Sequence, residues 1–70
     1  MIIRKKFGQN ICELRTRLDL TQEQLCEAAD IDRSYLQRIE KGTSSPSLDV
    51  IVKLRHALRC SWAELTKGLD

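Results

Sequence analysis

The sequence predicts an all-α fold: one domain over residues 1–70, built as a compact bundle of five short helices. Three observations carry this expectation. Apolar residues recur at helical spacing from end to end, and no stretch alternates in the manner of a strand. Helix-capping residues stand before every apolar run after the first, so the helices are short and closely spaced. At 70 residues the chain is near the lower limit for a self-sufficient core. That leaves no room for a cofactor-binding half beside a substrate half, and a buried catalytic cleft is not expected.

The first helix is expected from about Ile3 to Leu18, because Ile3, Phe7, Ile11, Leu14 and Leu18 form one apolar stripe. Asp19 ends it, since Asp tolerates a left-handed turn better than most residues. Thr21 and Gln24 then form a capping box, with Leu20 and Leu25 as its hydrophobic staple, opening a second helix from Gln22 to about Ala29. A tight turn at Asp30 and Ile31 leads to a new cap, Asp32, stapled by Ile31 and Leu36. The third helix runs from Arg33 to about Lys41 and stops at Gly42. Residues Thr43 to Pro46 read as a loop. Ser47, or Ser45 with Pro46 as the first helical residue, opens a fourth helix with the core stripe Leu48, Ile51, Leu54 and Leu58. Finally, Ser61 and Glu64 make another capping box, stapled by Cys60 and Leu65, for a very short fifth helix that carries Trp62.

Twelve basic and ten acidic residues leave a net charge of only +2, so the distribution of charge has to carry any argument about nucleic acid. Cys12, Cys26 and Cys60 are odd in number, widely spaced and without a CxxC pair. This spacing speaks against a disulfide framework and against a zinc site, and reduced, partly buried thiols are expected. His56 and Cys60 lie four apart, but two ligands do not define a structural metal site. No cofactor and no metal are expected. No run approaches the roughly 20 apolar residues that span a bilayer. The charged start from Met1 to Phe7 lacks the apolar stretch of a signal peptide. The expectation is a cytoplasmic protein with no membrane contact.

Helices two and three are joined by a turn too tight to let them lie antiparallel, so they should cross steeply. That is helix-turn-helix geometry, with its core at residues 22–41 and the second helix presented to a major groove. On that helix Leu36 and Ile39 face inward. The other face shows Arg33, Ser34, Gln37, Arg38 and Lys41 and no acid. Arg pairs with guanine edges, Gln with adenine, and Ser with either a donor or an acceptor. A face made only for solubility usually mixes Glu with Lys.

Residues 7–65 resemble the lambda-repressor-like (Cro/XRE) helix-turn-helix family. The resemblance rests on Leu20-Thr21-Gln22-Glu23-Gln24-Leu25, Asp32-Arg33-Ser34-Tyr35-Leu36, Ile39-Glu40-Lys41-Gly42 and Pro46-Ser47-Leu48. The short chain and the Asp32-Arg33-Ser34-Tyr35 opening are similar to the controller proteins of restriction-modification systems. The resemblance implies a prokaryotic or phage transcription regulator that binds double-stranded DNA. It implies base contacts from Arg33, Ser34, Gln37 and Arg38, and backbone contacts from Gln22, Tyr35, Lys41, Thr43 and Ser44. Tyr35 is equally placed to pack at the edge of the core. Arg15 and Glu40 match the family's internal salt bridge. The sequence departs from the family at Asp19 and Asp30, where glycine is common, and at Cys26, where alanine is usual.

A single small domain contacts roughly four or five base pairs, too few for genomic specificity. A homodimer on a palindromic operator, with half-sites about 10 base pairs apart, doubles the contact. Trp62, Leu65 and Leu69 are the expected dimer surface, and RNA polymerase is a possible further partner at a promoter. Lys53, Arg55, His56 and Arg59 read as a solvated face. Arg4, Lys5 and Lys6 read either as a flexible arm toward the DNA or as a solubilising start. Three rival functions stand beside this one. A protein-interaction module would have kept the fold without DNA binding. A small hydrolase or nuclease fails for want of parts, with one histidine and no glycine-rich phosphate loop. Redox sensing through a cysteine would be a layer added to DNA binding.

Overall fold

In the computed structural model, which describes residues 2–69, helix α1 covers Ile2–Arg17. Phe7, Ile11 and Leu14 line one side of it and are buried. Asp19 turns the chain with φ 58°. Helix α2 (Gln22–Ala29) begins at Thr21, whose hydroxyl accepts from the Gln24 N–H at 3.0 Å while the Gln24 side chain accepts from the Thr21 N–H at 2.9 Å. Helix α3 (Arg33–Lys41) follows the left-handed Asp30 (φ 55°) and ends at Gly42 (φ 81°). Helix α4 (Leu48–Leu58) is capped by Ser47, and α5 (Trp62–Leu65) by a second complete capping box between Ser61 and Glu64. All described residues outside these five helices lie in turns and loops.

The core is one cluster contributed by every helix. Ile11, Leu25, Leu36, Ile39, Leu54 and Leu65 are its fully enclosed side chains. Helix α1 lies across α3, and α2 packs on α4, so the helix-turn-helix pair is gripped from both sides. Two positions make the α1–α3 approach possible. A Cβ at Gly8 would collide with the Ile39 carbonyl oxygen and stand 2.7 Å from that of Glu40. At Gly42 a Cβ would lie 2.6 Å from the Lys5 Cα, in a backbone conformation L side chains rarely adopt.

Several expected burials are not observed. Ile3 and Leu18 carry the period of the stripe but are half exposed: Ile3 lies in the first turn of α1, and Leu18 falls in the turn just beyond its end. Leu48 is 72% exposed. At roughly 100° per residue it stands about 120° around α4 from Leu54, and Val50, Ile51 and Ala57 flank the buried pair Leu54 and Leu58 instead. Arg4, Lys5 and Lys6 are helical, with the Lys5 backbone against Gly42 and the Lys6 side chain against Gly68, so the run belongs to α1 and is not a flexible arm, although Arg4 and Lys5 are exposed. Arg55 is not part of a solvated face. It is half-buried, donates from Nη1 to the Cys60 carbonyl at 3.2 Å, and stacks on Trp62 with its Cζ 5.0 Å from the ring centre. Lys53, His56 and Arg59 are exposed.

A buried polar side chain the apolar stripe conceals is Asn10, whose Nδ2 donates to the carbonyls of Leu65 (3.0 Å) and Lys67 (2.9 Å). It satisfies acceptors at the end of α5 that the short helix leaves without partners of its own.

Candidate nucleic-acid interface

The recognition surface is set by the turn between α2 and α3. Leu25, Cys26 and Ala29 bury one side of α2. The chain then reverses over two residues: the N–H groups of Asp30 and Ile31 both donate to the Cys26 carbonyl. This closure holds without glycine because Asp30 occupies the left-handed region itself. Asp32 caps α3, accepting from the Ser34 N–H at 3.2 Å and from the Ser34 hydroxyl. The Ser34 hydroxyl bond, joined by the Ser34 and Tyr35 amides and by Arg38, holds the Asp32 carboxyl below the usual carboxylate range despite some desolvation.

Leu36 and Ile39 drive α3 into the core with no accessible surface left on either. That fixes which face points out, and Arg33, Ser34, Gln37, Arg38 and Lys41 are all exposed on it. Thr43 is exposed just beyond the helix, where its N–H and hydroxyl both donate to the Arg38 carbonyl; Ser44 is half-buried. Tyr35 is half-buried against the core, its hydroxyl accepts from the Ser47 N–H at 3.4 Å, and Arg38 lies over its ring at 5.8 Å. Tyr35 thus stands at the edge of the core, tied to the start of α4.

Behind this face lies a polar network linking three helices. Arg15 of α1 donates from Nε to Glu40 Oε2 at 2.8 Å and from Nη2 to Glu40 Oε1 at 3.2 Å. Its Nη1 donates to the Leu20 carbonyl at 2.8 Å. Gln22, the first residue of α2, donates from Nε2 to Glu40 Oε1 at 3.0 Å. The Arg15 and Glu40 side chains are only 14% and 8% exposed. Hydrogen bonding to Glu40 outweighs desolvation and strengthens the hold of Arg15 on its proton. Glu40, the one acid on α3, is therefore turned away from the exposed basic face.

The expected dimer surface is not one patch. Leu65 has no exposed surface and belongs to the core, so it cannot meet a second copy without opening the fold. Leu69 is half-buried against that core, while Trp62 is 47% exposed. The cysteines are all free; burial pushes the Cys26 and Cys60 thiols above their ordinary range and favours the inert protonated form. Cys12 is half-buried beside Arg15. Among the described residues no helix is long and apolar enough to cross a membrane.

Sequence reasoning missed Asn10, Gly8 and the left-handed Arg59 (φ 52°) that ends α4. Two had a readable signal. Asn10 interrupts an apolar helix face, and Gly8 is a helix-weakening residue beside core positions, which usually marks a close backbone approach. Arg59 had none, because nothing in its side chain favours that conformation.

A short helix, a two-residue reversal and a capped basic helix held on an internal ion pair define a DNA-binding regulator of the lambda-repressor-like class. The helix-turn-helix family pattern matches residues 12–65, and the chain belongs to that family, in its Cro/XRE branch. Among its relatives, the Control protein C.BamHI of Bacillus amyloliquefaciens is 40% identical over 57 residues, covering 80% of this chain and 70% of the relative. Control protein C.MunI of Mycoplasma sp. is 32% identical over 69 residues, covering 97% and 93%. The crystal structure of the restriction-modification controller protein C.AhdI from Aeromonas hydrophila superposes with a TM-score of 0.88 at 42% identity, over 93% of this chain and 98% of that one. The chain is thus a helix-turn-helix transcription regulator of the controller and repressor type, and not an enzyme.

Proposed function

We propose that this protein acts as a homodimer on a palindromic operator, with α3 of each protomer in a major groove, in the manner of a restriction-modification controller. The observation that carries the reading is the exposed, acid-free face of Arg33, Ser34, Gln37 and Arg38, on a helix whose opposite side is wholly buried. Arg33 and Arg38 supply bidentate donors for guanine edges, and Gln37 the paired donor and acceptor that suit adenine. Ser34 gives its hydroxyl proton to Asp32. Toward a base it therefore acts as an acceptor, which matches the amino group of adenine or cytosine. Gln22, Lys41 and Ser44 contact phosphates on either side, Thr43 joins them by turning its hydroxyl from the Arg38 carbonyl to a phosphate oxygen, and Tyr35 supports the backbone contacts from the core edge. Gln22 opens α2, where free helix amides also favour an anion.

The similarity to control proteins supports a role at a promoter, where a bound dimer blocks RNA polymerase or touches it. Trp62 and Leu69 remain candidates for the contact between protomers. The test is selection of bound sequences from random duplex DNA, followed by titration of the winner against salt. A two-fold symmetric consensus with half-sites about 10 base pairs apart and a steep salt slope is expected. Arg33→Ala and Arg38→Ala should each relax preference at single positions by about 1–3 kcal/mol. Sequence-blind binding, or none, would refute the reading and favour a protein-interaction module.

A further inference from the structure

We infer that Glu40 is a positioning residue for DNA binding: buried, it holds the Gln22 amide in the orientation that meets a phosphate. The inference rests on the reading of Gln22 as a phosphate contact and adds what orients it.

A carboxylate can only accept hydrogen bonds, so the Gln22 group facing Glu40 Oε1 at 3.0 Å is its NH2. That amino group has two hydrogens. One is spent on Glu40, and the second remains on a nitrogen whose place is already fixed. The same Oε1 accepts from Arg15 Nη2, and Oε2 accepts from Arg15 Nε, so the acceptor itself is clamped. Arg15 is clamped in turn through Nη1 on the Leu20 carbonyl, immediately before the cap of α2. One carboxylate on α3 thereby sets the side chain that opens α2. An unanchored Gln samples three side-chain torsions and loses that freedom on meeting a phosphate; here the loss is taken on folding. The ion pair is usually treated as a stability element. In this chain its remaining lone pair gives it a second use, at the DNA.

The experiment compares three variants on one duplex selected as above: Gln22→Ala, the double variant Arg15→Met with Glu40→Met, and the triple variant. Replacing both charges by apolar side chains of similar volume keeps a buried pair foldable, whereas removing one strands the other. Gln22→Ala is expected to weaken all sites alike, by roughly tenfold for one hydrogen bond to a charged group. The double variant should weaken binding by a similar factor with the same base consensus, and the triple variant should bind no more weakly than Gln22→Ala. Additive losses in the triple variant, or an unaffected double variant, would overturn the positioning role while leaving the phosphate contact in place. No loss in Gln22→Ala would overturn both. Side-chain nitrogen relaxation of the free protein gives an independent readout. The Gln22 Nε2 order parameter should be near the rigid value of about 0.85, while that of the exposed Gln37 stays below about 0.6. A mobile Gln22 amide in the unaltered protein refutes the inference even if the double variant fails to fold.

Discussion

Glu40→Ala isolates the network that holds the helix-turn-helix pair to α1. The carboxylate receives three hydrogen bonds, two from Arg15 and one from Gln22. With side-chain exposures of 14% and 8%, Arg15 and Glu40 are nearly out of water, so the alanine leaves a guanidinium short of solvent and short of a partner. Breaking a buried pair from one side costs about 3–5 kcal/mol. Arg15 keeps the Leu20 carbonyl and a small window to water, which places the expected loss near the lower bound, about 3 kcal/mol. For a domain this size total stability is on the order of 4–10 kcal/mol, so the change is large. Urea unfolding followed by helical circular dichroism and Trp62 fluorescence should show an earlier midpoint at unchanged slope, and heating should lower Tm by roughly 4–8 °C per kcal/mol lost. Binding measured where the variant is fully folded should be uniformly weaker with the base consensus unaltered. A stability loss below about 1 kcal/mol, the range of an exposed pair, would refute the reasoning, and so would a changed consensus.

Gly8→Ala should destabilise the domain by at least about 1–3 kcal/mol, the usual range for overpacking, since the new Cβ meets backbone carbonyls that cannot swing aside; unchanged urea unfolding would mean that α1 does not approach α3 so closely. Asp30→Gly and Arg59→Gly should each stabilise, by about 1 kcal/mol, because both residues hold a left-handed backbone that glycine adopts freely, and a lower Tm in either variant would show that its side chain contributes more than the strain costs. The Ser61 amide and hydroxyl, with a smaller contribution from Arg17, hold the Glu64 carboxyl below its ordinary range. Its contribution is therefore complete above the unfolded carboxylate pKa, about 4.3, and is lost as pH falls through the lower folded value. Glu64→Gln should flatten the acid limb of the stability–pH profile there, and identical limbs for the two proteins would contradict the assignment.

Much of this fold is legible in the sequence because its punctuation is local. Thr21 with Gln24, Asp32 with Ser34, and Ser61 with Glu64 satisfy helix ends within four residues, so side-chain identity and spacing are enough to place α2, α3 and α5. The exposed face of α3 follows once Leu36 and Ile39 are placed inside. Depth along a helix is less legible. Ile3 and Leu18 carry the right period, yet their burial depends on where neighbouring helices stop, and no local pattern records that. The expected surface place of Leu65 fails for a related reason: Leu65 and Trp62 are equally apolar as letters, and only the packing of α5 on α1 decides which one is enclosed. Asn10 and the Gln22–Glu40 bond join residues 55 to 57 and 18 positions apart, and such pairings become visible only when the chain is folded.

The two bonds from Asn10 give the last helix its standing. Four residues are too few to hold a helix in water, so beside its capping box and the buried Leu65, α5 depends on α1, which grips the carbonyls of Leu65 and of Lys67 just beyond it. Its stability is therefore borrowed from α1, and amide exchange in α5 should follow the opening of the whole domain rather than the fraying of a terminus. The same α1 carries Arg15 on another side. A partner that leans on Trp62 would thus push against the rod that steadies the helix-turn-helix pair.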